Sequence, residues 1–456
     1  MNNFTIHEFE AIGSRQWKQK IQVDLKGADY NETLVWQSLE GIHVKPFYHR
    51  DEMHPEPLPV PGHPGQWRIT QAIFIDDDAV ANNLAIDAIE RGAEAISFAA
   101  SRTFDPAVVF ANLPLESVAI YFQLEFLDRA FLTSLIEFLS AAKADAYFNI
   151  DILGNLARTG NWFVNLKSDH EDLEALLRAY PSQPILGVNV SHYQNAGANS
   201  VQQLAYALGH ANEYLNHFPK EVLKESPMCF TVAVGSNYFF EIAKIRALRM
   251  LYATLAKAYG VKGTCHISAV PTRRNKTLYD YNCNMLRTTT ECMSAVLGGA
   301  DSICNIPYDG IYHKSNAFGE RISRNQLLIL KSESYFDQVS NPADGSYYIE
   351  SLTRELANKA LELFKEIERS GGFYAQLSAG TIQKKIKESA NKEQELFDNG
   401  ALVLVGTNKY PNPEDRMKHD LELYPFVKKN PRKTLIEPII AKRLAEGAEQ
   451  KRLDDE

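Results

Sequence analysis

The sequence predicts an α/β protein built on a (β/α)8 TIM barrel, with an N-terminal wrapping arm and a C-terminal helical extension. Three observations predict it. Eight short runs rich in Val, Ile, Phe and Tyr recur from residue 67 onwards, and longer stretches with apolar residues at spacings of three and four separate them. No early strand-to-helix turn of the GxGxxG kind marks the alternative, an open doubly wound sheet. Strands joined through crossover helices must lie parallel, because a tight hairpin cannot connect parallel neighbours, and eight such units close naturally on themselves.

The runs are, in order, WRITQAIFI at 67, EAISFAA at 94, SVAIYFQ at 117, AYFNIDI at 146, ILGVNVS at 185, CFTVAVG at 229, TCHISAV at 264 and SICNIP at 302. From Tyr238 the residues Ile242, Ile245, Leu248, Leu251 and Leu255 mark one buried helix face. Residues 1–66 form the arm: a helix around Arg15 to Lys26, an extended stretch through Phe47, and the Pro-rich connector PEPLPVPGHPG. It has no core of its own, so it should wrap the barrel or a partner. Residues 67–335 form the barrel, and 336–456 a helical region and charged tail. In that region the Gly371-Gly372 pair ends a long helix, and the chain is expected to finish in an exposed helix.

Composition excludes several classes of function. At 456 residues, 45% hydrophobic and 23% charged, the chain is long enough to bury a large core and too apolar for disorder. Its 48 basic and 57 acidic residues leave a net charge of -9, which repels nucleic acid and anionic membrane surfaces. Five cysteines without a CxxC pair fit a reducing cytoplasm, and neither a signal-peptide core nor a spanning apolar stretch is present.

In a parallel barrel, function sits on the loops after the strands. Strand one leads into Asp76-Asp77-Asp78, which suits a helix N-cap better than a metal site. Strand four carries Asn149 and Asp151, strand five runs into Ser191-His192-Tyr193-Gln194-Asn195, and strand seven into Thr272-Arg273-Arg274. His192 can donate to a substrate carbonyl or move a proton near neutral pH; equally, it can satisfy neighbouring backbone groups. Arg273, Arg274 and Lys276 form either a phosphate clamp or a solvated basic loop. Arg287 and Glu291, four apart on one helix, should pair. Phosphate-loop, Ser/His/Asp elbow and zinc motifs are absent.

Several segments together carry a resemblance that reaches further. MLRTTTECMSAVLGGADS, ISRNQLLIL, NPADGSYYIESLTRELANKALELFKEIERSGG, GTNKY, YNETLVWQSLEGIHVKPFY, HYQNAGANSVQQLAYAL and NYFFEIAKIRALRMLYA resemble the adenosylcobalamin-dependent acyl-CoA mutases, above all the methylmalonyl-CoA mutases. The resemblance covers nearly the whole chain, in the family's order. It implies a barrel that threads the pantetheine arm of an acyl-CoA along its axis. A second, flavodoxin-like domain then presents cobalamin through a D-x-H-x-x-G histidine. No Asp here has a His two residues later, and the chain ends where that domain would begin, so this chain is expected to bind no cofactor itself.

The barrel also departs from the family's catalytic pattern. The tyrosine of W-T-I-R-Q-Y is replaced by Ala72, and the tyrosine beside the retained His192 by Ser191. The arginine expected to meet the substrate carboxylate falls one place early, at Arg158, after a Q-N-D-I-L segment that here reads Asn149-Ile150-Asp151-Ile152-Leu153. The strand-seven contacts, where R-A-H-C-Q-T-S-G aligns with His266 to Arg273, are largely gone. Each such loss costs about 10²-fold or more in rate. The resemblance therefore implies a small, non-catalytic subunit of a heterodimeric, cytoplasmic methylmalonyl-CoA mutase of propionate metabolism. Its large subunit would hold adenosylcobalamin and interconvert (R)-methylmalonyl-CoA and succinyl-CoA. The barrel axis is then expected to be filled by side chains. Two rival readings stay open: a catalytic subunit that borrows a cobalamin-binding domain on a separate chain, and a free-standing acyl-CoA-binding or regulatory protein supported by the strand-seven basic loop.

Overall fold

The structure, a computed structural model, describes residues 11–53, 60–428 and 431–456. Eight parallel strands form its centre: β1 Arg68–Phe74, β2 Ala95–Ala100, β3 Ala119–Leu124, β4 Ala146–Tyr147, β5 Gly187–Asn189, β6 Met228–Val234, β7 Cys265–Pro271 and β8 Ser302–Cys304. They pair in the order β4-β3-β2-β1-β8-β7-β6-β5. The remaining seam, between β4 and β5, is joined by a parallel bridge of Ile150 to Leu186. Across it the Phe148 N–H donates to the Pro184 carbonyl at 2.8 Å and the Ile150 N–H to the Ile185 carbonyl at 2.7 Å. The sheet is thus closed, and each strand falls within or beside the run that marked it.

The seam strands are short for a local reason. Asn149 takes a left-handed conformation, φ 49°, which ends the regular extension of β4. Opposite it stands Gly187, where an added Cβ would meet the Asn149 backbone at 2.8 Å. Only glycine fits there.

The helix Tyr238–Tyr259 buries Ile242, Ile245, Leu248 and Leu251 as their spacing demands, but it also buries Lys244, Arg246 and Arg249. A third layer covers its outer side, chiefly the helix Tyr347–Arg369. Arg246 reaches Glu350 at 2.6 Å, and Arg249 reaches Asp301 at 2.6 Å and the Gly299 carbonyl at 2.7 Å. These paired guanidinium groups let the helix be buried on both sides.

The N-terminal arm lies on this outer layer. After the helix Ser14–Asp24 comes a short antiparallel ladder pairing Trp36 with Val44 and Gln37 with His43. Trp36 packs edge-on against Phe240 at 5.7 Å and Tyr48 against Tyr348 at 5.1 Å. The first part of the Pro-rich connector lies outside the described residues.

Beyond the helix Thr381–Asp398 the tail crosses the barrel mouth as an irregular strap. Its Leu423 N–H donates to the Tyr312 carbonyl at 2.8 Å, Ile439 to Ala157 at 2.8 Å, Lys442 to Asn195 at 3.0 Å and Leu444 to Arg274 at 2.9 Å. The strap is therefore tied to the loops after β4, β5, β7 and β8. The last helix, Glu446–Asp455, exposes most of its residues, as expected, but is anchored on one side by the buried Glu446 and Glu449, the latter accepting the Leu278 N–H at 2.8 Å and pairing with Arg443 at 2.7 Å.

Two side-chain readings resolve differently. Asp77 caps its helix by accepting the Val80 N–H at 2.9 Å, as a carboxylate at a helix start should. The Arg287–Glu291 pair does not form. Glu291 turns inward to Lys276, 2.7 Å away and equally buried, whereas Arg287 bonds Thr277, Asn284 and the Val405 carbonyl. Burial makes the carboxylate choose the cation that is buried with it. Glu291→Ala should leave the Lys276 charge stranded and lower stability by about 3–5 kcal/mol, read from urea denaturation at neutral pH.

Candidate functional site

Along each barrel strand alternate side chains face the helices and the axis. In β1, Gln71 and Ile73 are buried under the helices while Ala72 and Phe74 are accessible. Solvent can reach a barrel residue such as Ala72 only along the axis, so the C-terminal half of the barrel is an open cup. Ala72 lies within it.

The lower half is closed. Tyr121 on β3 and His266 on β7 stand on opposite sides of the barrel, and the Tyr121 hydroxyl meets the His266 Nε2 at 3.1 Å. A bond between opposite strands necessarily crosses the axis. Tyr147 completes the layer, its ring 4.7 Å from that of Tyr121 and 4.2 Å from that of His266. Beside them the Ser302 hydroxyl donates to the Ser268 hydroxyl at 2.8 Å. Burial pushes the His266 imidazole below its ordinary pKa and both phenols above theirs, so all three rings are neutral at pH 7. The axis, expected to be filled, is filled in its lower half and open above.

The predicted residues gather around the mouth, but in different settings. His192 lies in the short helix Ser191–Asn195 immediately after β5. One ring nitrogen reaches the Ile439 carbonyl of the strap, which leaves Nε2 buried without a hydrogen-bond partner among the described residues. Burial and the nearby Arg158 guanidinium depress its pKa to about 4. Ser191 donates to the Asn189 side chain at 2.5 Å. The Asn149 amide is turned to the Phe122 carbonyl at 3.3 Å. Arg158 is shared between Glu125 at 3.2 Å and the Asn155 side chain at 3.3 Å. It faces a cleft of about 510 Å³ that it shares with the strap residues Phe426, Lys428 and Arg432.

The strand-seven loop splits into two kinds of cation. Arg274 is buried, paired with Glu393 and donating to the Lys442 carbonyl at 2.8 Å. Lys276 is buried against Glu291. Arg273 alone remains accessible to solvent.

Below His192, Asp151 organises the β4 end. Its carboxylate accepts the Gly154 N–H at 2.7 Å, the Asn189 N–H at 2.8 Å and the Tyr214 hydroxyl at 2.7 Å, and it pairs with His210 at 2.8 Å. Burial pushes the carboxyl up, but His210 and these donors outweigh it and hold its pKa below the usual range. This is a structural junction between β4, β5 and the helix Ser200–His217.

Of the histidines on the β5 and β8 loops, His192 has its free nitrogen buried and His313 is held by Asp309 at 3.2 Å. Among the described residues no cluster of three or more His, Cys, Asp or Glu could hold a metal ion. No helix among them is long and apolar enough to cross a membrane. Sequence reasoning missed the Tyr121, Tyr147 and His266 layer and the strap; inward-facing bulky residues on runs three, four and seven were the available signal.

A closed parallel barrel, strapped at its mouth by a C-terminal segment, is the architecture that known proteins must match. The family model of methylmalonyl-CoA mutase matches residues 94–451, and the chain belongs to that family. It is similar to the methylmalonyl-CoA mutase small subunit of Porphyromonas gingivalis, with 32% identity over 443 residues covering 89% of this chain and 71% of that one. The small subunit of Streptomyces virginiae is 29% identical, with the same coverage of 89% and 71%. The mitochondrial methylmalonyl-CoA mutase of Homo sapiens is 26% identical over 87% of this chain and 60% of its own length.

The depressed His192 pKa has a measurable consequence. Its folded value, about 4, lies below the ordinary 6.5, so between these pH values the unfolded chain takes up a proton and the native chain does not. The His192 contribution is complete above pH 6.5 and is lost as pH falls to 4, by about 3 kcal/mol. Urea midpoints across this window should drop less steeply in His192→Asn than in the parent chain.

Proposed function

We propose that this chain is the small, non-catalytic subunit of a heterodimeric, cytoplasmic methylmalonyl-CoA mutase. It supports a large subunit that holds adenosylcobalamin and interconverts (R)-methylmalonyl-CoA and succinyl-CoA. The observation that carries this reading is the contact between Tyr121 and His266 across the barrel axis, which narrows the path that a pantetheine arm would take. Ala72, accessible in the cup above, supports it: a methyl group offers neither the bulk nor the hydroxyl of the tyrosine that catalytic relatives would place there.

The arm supplies a surface for the partner. No residue of the helix Ser14–Asp24 is buried, and Ile12, Trp17 and Val23 are 57%, 49% and 72% exposed. Apolar side chains left exposed on such an arm gain stability by docking on a second chain. Binding of that kind also stabilises the partner by mass action.

Co-expression with a large mutase subunit tests the reading. The two chains should co-purify, Trp17→Glu should weaken the complex, and turnover with adenosylcobalamin should require the large subunit. Isomerised product from this chain with adenosylcobalamin and no large subunit would overturn the proposal, as would failure of the two chains to associate.

A further inference from the structure

The strap crosses the mouth without filling it. Between the strap and the loops after β7 and β8 lies an open cleft of about 350 Å³, within the range of small-molecule sites. Its lining includes the cations Arg273, Arg274, Lys428, Lys442 and Arg443 and a single carboxylate, Glu446. Most of the buried charge is already matched. Arg274 pairs with Glu393, and Arg443 pairs with Glu449 at 2.7 Å. Glu446 accepts the Arg443 N–H at 2.9 Å and the Val427 N–H at 3.3 Å.

Three cations are left over. Arg273, Lys428 and Lys442 are all accessible, and none has a carboxylate within salt-bridge distance among the described residues. In a chain of net charge -9, three accessible cations beside the single carboxylate Glu446 leave the cleft net positive, a local field that attracts anions. The remaining wall is apolar. Ile311, Leu423, Tyr424 and Phe426 line it, and Tyr424 stays 60% exposed although its ring packs edge-on against Phe426 at 5.5 Å.

We propose that this cleft binds a small ligand joining a multiply charged phosphate group to a planar ring, in class a nucleoside diphosphate. Arg273, Lys428 and Lys442 would receive the phosphates, since a guanidinium fork with two flanking ammonium groups matches a diphosphate better than a single carboxylate. The ring would lie against Tyr424 and Phe426. The site is separate from the closed barrel axis, and the proposal stands without the subunit reading above. It also bridges two parts of the fold, because Arg273 belongs to the β7 loop and the other contacts to the strap. Ligand binding therefore fastens the strap to the mouth.

Calorimetric titration of the full chain with ADP tests this, with pyrophosphate and adenosine as comparison ligands. ADP should bind saturably and more weakly as salt rises, pyrophosphate should bind less tightly, and adenosine should not bind. Removing charge-assisted contacts in the double variant Arg273→Ala, Lys442→Ala should weaken ADP at least about tenfold while its melting temperature stays near that of the parent. ADP should also slow proteolysis of the strap in the parent chain. No saturable ADP binding would overturn the proposal, as would adenosine binding as tightly as ADP or undiminished ADP affinity in the double variant.

Discussion

The contact between Tyr121 and His266 constrains the rest of the molecule more than any other. It joins opposite sides of an eight-stranded barrel at 3.1 Å, and the Tyr147 ring stacks beside it. Three neutral rings packed together act as part of the core, in which a side chain swung aside would leave a cavity and an unpaired polar group. The barrel is consequently narrowed below and open as a cup above.

The mouth is shaped by two further constraints. At the β4/β5 seam, Asn149 and Gly187 force a close backbone approach, and Asp151 gathers two backbone N–H groups, a phenol and an imidazole at that point. Across the top, the strap donates backbone hydrogen bonds to four loops. Its Ile439 carbonyl takes one nitrogen of His192 and leaves the other enclosed. His192 is thereby held in place and shielded.

Much of this was legible in the sequence, and the exceptions have identifiable causes. The eight apolar runs and the helix from Tyr238 follow from periodicity, which local composition fully displays. Tyr121, Tyr147 and His266 also obey a period of two, yet period two does not reveal which face is inward, nor that runs three and seven will stand opposed. Arg287 and Glu291 show the limit of local spacing: Lys276, distant along the chain, takes the carboxylate because the two are buried together. The strap has no periodicity, so it read as a charged tail. Only its backbone bonds to the loops reveal its course.

The most direct test of the closed axis uses a thioester that lacks a nucleotide, so that the strap cleft is not engaged. A crystal structure of the chain grown with excess methylmalonyl-pantetheine should show the Tyr121–His266 contact intact and no ligand along the axis. A pantetheine chain threaded past displaced rings would contradict the account.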